Sequence, residues 1–486
     1  MPSSELRNKA VKALFWNAMD KSGFQFIALF VGIITARLLS PDDFGLMGAL
    51  AIFTQLSNTL VESGFTSALV RRKENKPADY AAIFYFNVGL SVLIYLLLFV
   101  SAPALSDFFN KPPLAALARF LFLGIIINSL GIVQNIVLTK AVAFRQISIA
   151  DLTSAIVAGI VAIVLALMGF GYWALAWQVV LQPTVRTLML WMFSHYRFGF
   201  RADFRIIREV FAFSFFLLMM TVISTVVRNI YNVCIGRFYS SALLGFYNQA
   251  NKFQQIPSTV VASTTSGVAY PILARLDHDA RRQIAYLRKM MRITAFLIFP
   301  VMIGLGSLTA PLVSLVLTDK WLPAVPYFQL MIVGSLTFPL HSLNATIITV
   351  RGASHTTFML DMLKNALILL TLLFYQRIEY MLIGFSVAGV VSWLADMIVT
   401  QHKVAYSILQ QIRDIAPYAL ISGLMFLLVK AVGYLNLHAL SHPLPDLPLT
   451  LLQILLAASF YFGTLYLLGS KVMSEALQML RNKSAE

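Results

Sequence analysis

Long runs of apolar residues, separated by short polar stretches, follow one another along the whole chain. Fourteen of them are about 20 to 29 residues long, enough as α-helix to cross roughly 30 Å of hydrocarbon. A segment in lipid must satisfy its own backbone hydrogen bonds, so each run is predicted to be helical. The predicted fold class is therefore all-α, a polytopic membrane protein with spans at 11–38, 41–66, 79–101, 114–136, 149–168, 171–194, 206–233, 240–268, 286–310, 322–347, 355–375, 377–400, 413–434 and 447–469.

Composition and charge agree with this class. The 486-residue chain is 59% hydrophobic and 12% charged with a mean hydropathy of +0.77, too apolar for a soluble protein of this length. Its net charge of +16 is unevenly placed: 25 of the 37 lysines and arginines lie at the termini, in alternate loops and at the adjoining span ends, against six on the opposite side. This positive-inside bias predicts cytoplasmic termini, and we expect no nucleic-acid partner.

A repeat with a constant offset of 200 residues relates the loop after the first span to the loop after the seventh. Its matching pairs include Arg37/Arg237, Ser40/Ser240, Gly45/Gly245, Phe53/Phe253, Gln55/Gln255, Thr59/Thr259, Val61/Val261 and Ser63/Ser263. Six spans separate the copies, and an even number leaves both in the same orientation, a parallel repeat. We therefore predict two six-helix lobes, an N-lobe at 1–200 and a C-lobe at 201–405, followed by two appended spans and a tail at 406–486.

Ionisable residues inside the spans are the candidates for function, because a charge at mid-bilayer costs roughly 2.5–3.5 kcal/mol on insertion scales. Cations there suit an anionic ligand such as pyrophosphate or an acidic sugar, and amides suit sugar hydroxyls. The predicted substrate-binding residues are Lys21, Arg186, Arg228, Lys252, Lys364, Asn248, Gln249, Asn251 and Gln255. The candidates for binding a coupling proton or Na⁺ are Asp20, Glu62, Asp361 and Asp396.

Several of these charges also have a structural interpretation. Asp361 and Lys364 are spaced i, i+3 and could pair on one helix face. Arg186 could cap a neighbouring helix or hold the Glu62 carboxylate. Lys430 lies near the end of its span, where snorkelling is favoured. Asp20 and Lys21 point about 100° apart on a helix, so at least one is expected to face a polar path.

Other motifs are absent or simple. The one cysteine, Cys234, rules out a disulfide framework, and the chain has neither a metal motif nor a phosphate-binding glycine loop. We expect no metal, no cofactor and no catalytic residue, which indicates a transporter and not an enzyme. The first apolar run lacks a signal-peptide cleavage site and is expected to remain as a span. The basic connection 275–292 has the pattern of an amphipathic helix lying on anionic lipid.

An ordered set of short motifs resembles a family of bacterial polysaccharide transporters. The set covers most of the chain up to the twelfth span. It is similar to Wzx-type flippases of the multidrug/oligosaccharidyl-lipid/polysaccharide superfamily, in particular the lipopolysaccharide and colanic-acid exporter branch. The motifs are Ala36-Arg37-Leu38-Leu39-Ser40-Pro41-Asp42-Asp43-Phe44-Gly45, Ser67-Ala68-Leu69-Val70-Arg71-Arg72-Lys73, Gly171-Tyr172-Trp173-Ala174-Leu175, Ile235-Gly236-Arg237-Phe238, Tyr270-Pro271-Ile272-Leu273-Ala274-Arg275-Leu276, Phe299-Pro300 and Lys320-Trp321-Leu322-Pro323-Ala324-Val325-Pro326.

The resemblance implies a flippase of the bacterial cytoplasmic (inner) membrane. Such a protein moves an undecaprenyl-pyrophosphate-linked oligosaccharide repeat unit to the periplasmic leaflet by alternating access between spans 1–6 and 7–12, without ATP hydrolysis. The implied partners are the polyprenyl-pyrophosphate-linked oligosaccharide, membrane lipids, H⁺ or Na⁺ as coupling ion, and polysaccharide polymerase machinery.

Three rival functions make different demands on the sequence. An ion-coupled drug exporter of the related multidrug branch would need acidic groups for cationic drugs, and the five intramembrane cations count against it. A membrane glycosyltransferase or polymerase would need a large outer loop, and the predicted outer loops are short. A non-transporting envelope assembly scaffold would have no use for the intramembrane charges, whose insertion into the bilayer costs free energy.

Overall fold

Long helices form at the apolar runs, and their bounds follow the predicted spans. The computed structural model describes residues 16, 23–62, 69, 75–197, 199, 203, 205–276, 278–438, 444–475 and 478, and within them it contains helices and connections but no β-strand. The all-α prediction is confirmed. The long helices are α1 (Gly23–Leu38), α2 (Pro41–Glu62), α3 (Pro77–Phe109), α4 (Leu114–Lys140), α5 (Phe144–Leu167), α6 (Tyr172–Ser194), α7 (Arg205–Phe238), α8 (Ser241–Arg275), α9 (Ala280–Ser307), α10 (Val325–Val350), α11 (Ser354–Leu370), α12 (Ile378–Val404), α13 (Ile408–His438) and α14 (Asp446–Leu467).

Most of these helices are suited to a bilayer. In the described part of the chain, eleven helical segments are long and apolar enough to cross a membrane. The three long helices outside that group are α1, a shorter apolar helix, and α6 and α8, which contain polar stretches. Together they account for the fourteen predicted spans. A short helix, Thr309–Leu317, and a 3₁₀ turn, Asp319–Ala324, connect α9 to α10.

The two copies of the repeat begin their helices in a similar way. At the start of α2, the Ser40 amide and hydroxyl donate to the Asp43 carboxylate at 2.9 and 2.7 Å, and the Asp43 amide donates to the Ser40 hydroxyl at 3.3 Å. This is a capping box, with Pro41 at the first helical position. At the start of α8, the Leu243 amide donates to the Ser240 hydroxyl at 3.2 Å. The serine of the repeat is therefore an N-cap in both copies.

The glycines of the repeat bring the two copies into reciprocal contact. A β-carbon added to Gly45 would lie 1.8 Å from the carbonyl oxygen of Ser241, and one added to Gly245 would lie 1.9 Å from that of Pro41. Positions 45 and 245 are 200 residues apart, and so are positions 41 and 241, so the two contacts are equivalent under the repeat. Glycine is required at both positions because only its backbone can approach this closely. The repeat in the sequence therefore corresponds to a repeat in the structure.

The chain divides into two compact units, one ending at Gly245 and the other beginning at Phe246. The first contains α1 to α7 and the first residues of α8, and the second contains the rest of α8 and α9 to α14. The predicted lobes at 1–200 and 201–405 and the appended segment at 406–486 are not defined by this division and stay a prediction.

In the first unit, α6 packs on both α4 and α5, and α2 packs on α7. Two side chains of α6 donate to backbone carbonyls of α4: the Thr187 hydroxyl to Ile127 at 3.1 Å and the Trp191 indole to Leu130 at 2.9 Å. Such side-chain bonds satisfy polar groups that lipid cannot. They fix the packing of α6, which carries Arg186.

In the second unit, the last two helices pack against α9. Phe296 of α9 lies in one apolar cluster with Tyr418 of α13 and Tyr461 of α14, and the Tyr461 hydroxyl donates to the Phe296 carbonyl at 3.0 Å. The pairs α10–α12 and α11–α12 also pack closely. These contacts place α10, α11 and α12 side by side, and the predicted site residues Asp361, Lys364 and Asp396 lie on α11 and α12.

The start of α9 differs from the prediction of a separate surface helix at 275–292. The chain turns after Arg275, and α9 then runs without a break from Ala280 to Ser307. Its residues Leu287, Met290 and Met291 are buried in the protein core. The prediction that this face lies on lipid is wrong, because protein covers it.

A buried carboxylate binds the basic side of α9. Asp414 of α13, whose side chain is 2% exposed, accepts from Arg288 at 2.7 and 3.1 Å and from Arg292 at 2.5 and 2.9 Å. The Tyr406 hydroxyl donates to the same carboxylate at 2.8 Å. Burial, and next the negative charge of Asp414, raise the pKa of Tyr406, so this phenol remains a donor at neutral pH. The cluster joins α13 to α9.

Candidate functional site

The predicted site residues are distributed over both units, and each cluster lies within one unit. Asp20 and Lys21 lie outside the described residues. Glu62, Arg186 and Arg228 belong to the first unit. The amide-rich stretch 248–255 and the charged residues of α11 and α12 belong to the second unit.

In the first unit, Arg186 is held by a carboxylate. Its Nε donates to Asp151 on α5, and the two side chains are 26% and 17% exposed. Glu62, at the end of α2, is close enough to Arg186 for the two opposite charges to act on each other. One cation thus lies among two carboxylates, which suits the structural interpretation of Arg186 better than the binding of an anion.

Arg228 has a different environment on α7. Its side chain is exposed, and its Nε donates to the Ser224 carbonyl of the same helix at 3.3 Å. The structure places no carboxylate against it among the described residues. Arg228 therefore keeps an accessible positive charge.

Beside Arg228, α7 makes an amide contact that the sequence did not single out as a pair. Asn229 is 4% exposed, and its amide donates to the Gln55 side chain of α2 and to the Thr225 carbonyl, both at 2.9 Å. Asn232 donates to Asn229 at 3.4 Å. The signal was present, because amides recur on α7 and Gln55 belongs to the repeat, but sequence does not show which helices face each other.

In the second unit, α8 presents a polar face. Asn248, Lys252 and Gln255 are spaced four and three residues apart and share one side of the helix. Lys252 is half-buried, and no carboxylate pairs with it among the described residues. The Asn248 amide nitrogen is buried and without a partner in the same part of the chain, while Gln255 is exposed. This face combines a cation with hydrogen-bonding groups that an anionic, hydroxyl-rich ligand requires.

Two further predicted residues of α8 lie differently. Gln249 is 4% exposed and belongs to the interior of the unit. Asn251 accepts from the Gln254 side chain at 2.8 Å. Of the predicted amides of α8, Asn248 and Gln255 thus share the face of Lys252.

The remaining predicted charges of the second unit meet around a histidine that the sequence analysis did not select. His341 of α10 bonds through Nδ1 to Asp396 of α12 and faces Asp361 of α11 through Nε2 at 3.4 Å. Lys364 lies with its ammonium 5.2 Å from the centroid of the Phe338 ring. The spacing of Asp361 and Lys364 allowed a pair on one helix face; in the structure Asp361 faces His341 on α10, while Lys364 acts on both Asp361 and Asp396 through its charge. A histidine within an apolar span was the available signal.

The arrangement separates a buried carboxylate from a more exposed one. Asp396 is fully buried, and its Oδ1 has no hydrogen-bond partner in the described structure. The side chain of Asp361 is 50% exposed. No group of metal-binding residues is found among the residues the structure describes. The cluster, formed by His341, Asp361, Lys364 and Asp396, is chemically suited to hold and move protons.

Solved structures with the same fold include a lipid II flippase and a multidrug resistance transporter. The lipid II flippase MurJ in an inward closed conformation superposes with a TM-score of 0.76 at 16% identity, covering 96% of this chain and 99% of that one. An inward-facing MATE multidrug resistance transporter of the MOP superfamily gives a TM-score of 0.60 at 14% identity and covers 80% of this chain and 98% of that one. These matches establish the fold.

Sequence relatives carry names from polysaccharide biosynthesis. The succinoglycan biosynthesis transport protein ExoT of Rhizobium meliloti is 28% identical over 65% of this chain, and the match spans 64% of ExoT, less than two thirds of its length. The lipopolysaccharide biosynthesis protein WzxC of Escherichia coli is 23% identical over 82% of this chain and 79% of its own. The family model described as "Polysaccharide biosynthesis protein" matches residues 34–326. Since this match covers more than half of the 486 residues, the chain belongs to the polysaccharide biosynthesis protein family and is a multi-pass membrane protein with the fold seen in the lipid II flippase MurJ.

Proposed function

We propose that this protein is a flippase that moves a polyprenyl-pyrophosphate-linked oligosaccharide from the inner to the outer leaflet of the bacterial cytoplasmic membrane by alternating access. The observation that carries the proposal is the match to the lipid II flippase fold over 96% of the chain, in a family named for polysaccharide biosynthesis. The names of ExoT and WzxC support a polysaccharide unit as cargo. O-antigen, capsule and exopolysaccharide repeat units all fit this description.

The polar face of α8 is assigned to the head group of the substrate. Lys252, which has no carboxylate partner in the part of the chain that the structure describes, offers a cation to pyrophosphate or an acidic sugar, and Asn248 and Gln255 offer amides to sugar hydroxyls. Arg228, exposed on α7, is a second candidate for the anionic group. Arg186, bound to Asp151, is assigned a structural role.

The proposal couples transport to an ion gradient, and the carboxylates are assigned to binding the ion. Asp361 and Asp396 lie with His341 in one cluster, and Glu62 is a separate candidate in the first unit. Further elements of the proposal are cytoplasmic termini and a polymerase that receives the flipped unit.

Complementation in cells that lack their own flippase tests the function. Surface polysaccharide and accumulated lipid-linked repeat unit are measured for wild type, Lys252→Ala and Arg228→Ala, with membrane levels checked by immunoblot. Lys430→Ala is the matched control, because this lysine is exposed on α13. We expect wild type and the control to restore surface polysaccharide, and Lys252→Ala to accumulate the lipid-linked unit.

The other outcomes are informative in different ways. If Lys252→Ala restores surface polysaccharide as well as wild type does, the polar face of α8 does not bind the head group, and the flippase function still stands. Failure of wild type in strains covering several repeat-unit chemistries would overturn the flippase and favour a drug exporter or an assembly scaffold.

A further inference from the structure

Three helices of the second unit converge on one imidazole. His341 of α10 is 8% exposed and lies between Asp396 of α12, bonded to Nδ1, and Asp361 of α11, 3.4 Å from Nε2. Since each ring nitrogen faces a different carboxylate, the imidazole connects a half-exposed acid to a fully buried one. This is the geometry of a proton shuttle, in which a proton enters at one nitrogen and leaves from the other.

One hydrogen-bond acceptor of the cluster is unused, and it belongs to the buried carboxylate. Asp396 is 0% exposed, and its Oδ1 has no partner among the described residues. A buried carboxylate oxygen without a donor is costly as an anion, and a proton removes that cost by neutralising the group. The cluster therefore contains a carboxylate oxygen that gains a favourable state when it binds a proton.

The ligands that the cluster offers favour a proton over a metal cation. From α11, the Lys364 ammonium acts on the same carboxylates, and it is held 5.2 Å from the Phe338 ring centroid. On α9, Arg288 and Arg292 are bound to Asp414. The Lys364 charge opposes a proton and a sodium ion alike, so the number of ligands separates the two: a metal cation needs several oxygen ligands, whereas a proton needs one basic atom.

We propose that His341, Asp361 and Asp396 form the proton-binding site that couples this transporter to a proton gradient, with His341 as the shuttle. The inference rests on the proposed flippase function and names its coupling ion. A hydronium ion gives its proton to the Asp361 carboxylate, Asp361 passes it to Nε2 of His341, and Nδ1 releases a proton to Asp396. One proton moves from solvent to Asp396, and the imidazole is neutral again with its hydrogen now on Nε2, so it must return to the Nδ1–H tautomer before the next transfer.

Buried polar groups extend from the shuttle along the same helices. One turn beyond Asp396, the Thr400 hydroxyl donates to Asn344 of α10 at 3.1 Å, and Asn344 donates to Gln411 of α13 at 3.3 Å. Thr400, Asn344 and Gln411 are each 0% exposed. These groups link α10, α12 and α13 beside the cluster, so a change of charge at Asp396 acts on the packing of the helices that would move during transport.

Hydrogen–deuterium exchange of the full-length protein in lipid nanodiscs tests the proposal without substrate. Exchange is compared at mildly acidic and mildly alkaline pH, corrected for intrinsic rates, in buffer containing N-methyl-glucamine as the only added cation. We expect wild-type peptides from α10, α11 and α12 to be more protected at the acidic pH. His341→Gln and Asp396→Asn should lose this difference, and His402→Gln, an exposed histidine on α12, should retain it.

A second buffer contains sodium at constant pH. If sodium changes the protection of these helices in wild type but not in Asp396→Asn, the site binds sodium and the proposal is overturned. It is also overturned if His341→Gln keeps the pH-dependent difference of wild type. Asp361→Asn, at the more exposed acid, provides the same readout should either buried variant fail to fold.

This experiment is independent of the complementation assay. Rescue of surface polysaccharide with no effect of His341→Gln on exchange would remove the proton site and leave the flippase. Loss of the pH-dependent exchange in His341→Gln, with no rescue by wild type, would leave a proton-binding transporter and remove the flippase.

Discussion

Individual charges in this protein differ mainly in whether a partner neutralises them. Arg186 is bound to Asp151, and Asp414 is bound by two arginines, whereas Lys252 has no carboxylate partner among the described residues. Paired charges in a bilayer hold helices together, and unpaired charges indicate a ligand. This distinction, made residue by residue, separates structural from functional candidates within one list of intramembrane charges.

The pairing of Arg186 with Asp151 predicts a rescue between two variants. Arg186→Gln leaves the Asp151 carboxylate partly buried without its cation and should lower the thermal stability of the purified protein. Because both side chains keep some exposure, we expect a loss of about 1 kcal/mol. The double variant Arg186→Gln/Asp151→Asn should return close to wild type. A double variant less stable than either single variant would show that the two residues act separately.

Removal of the Asp414 carboxylate should lower the free energy of unfolding more than Arg186→Gln does. Asp414→Ala leaves the partly buried Arg288 and Arg292 side by side without the carboxylate that neutralises them, and it removes the acceptor of the Tyr406 hydroxyl. We expect a destabilisation of about 3 kcal/mol, measured as a lower unfolding midpoint in detergent. Asp446→Ala, an exposed aspartate at the start of α14, is the control and should leave the midpoint unchanged. Equal midpoints for the two variants would contradict the anchoring of α13 to α9.

At the scale of elements, most of the fold could be predicted and most of the contacts could not. The lengths of the apolar runs predicted the helices, because a segment that crosses a bilayer must satisfy its own backbone hydrogen bonds. The repeat identified the two equivalent loops. The partner of a side chain depends on which helices pack together, which apolar runs do not specify. His341 was overlooked because its carboxylates lie 20 and 55 residues further along the chain. The start of α9 was assigned to lipid because its amphipathic pattern does not tell lipid from protein.

The reciprocal glycines give a prediction about two elements. In Gly45→Ala, a methyl group would lie 1.8 Å from the Ser241 carbonyl oxygen, so α2 and the start of α8 must separate, and Gly245→Ala acts in the same way on Pro41. We expect each variant to lose most of its transport in the complementation assay and to unfold at lower temperature. Gly89→Ala on α3 meets no atom within 4 Å and should behave as wild type. Full activity in both repeat variants would show that the close contact is dispensable.

At the scale of the whole molecule, charge distribution and helix count together predict orientation. Positive residues concentrate on one side of the fourteen predicted spans, and the described part of the chain contains fourteen long helices in the same order. An even number of crossings would place both termini on one side, and the positive-inside rule predicts that this side is the cytoplasm. The orientation matters for mechanism, because the direction of proton movement through His341 is defined only with respect to the two sides of the membrane.

Reporter fusions measure this orientation directly. Green fluorescent protein matures in the cytoplasm and alkaline phosphatase is active only outside it, so the two reporters give opposite signals. Fused after the last residue, the fluorescent reporter should be bright and the phosphatase inactive. Fused after Pro445, between α13 and α14, the phosphatase should be active and the fluorescent reporter dark. The same signal at both positions would mean that α14 does not cross the membrane. Inverted signals would place the termini outside and reverse the direction in which the proposed shuttle delivers its proton.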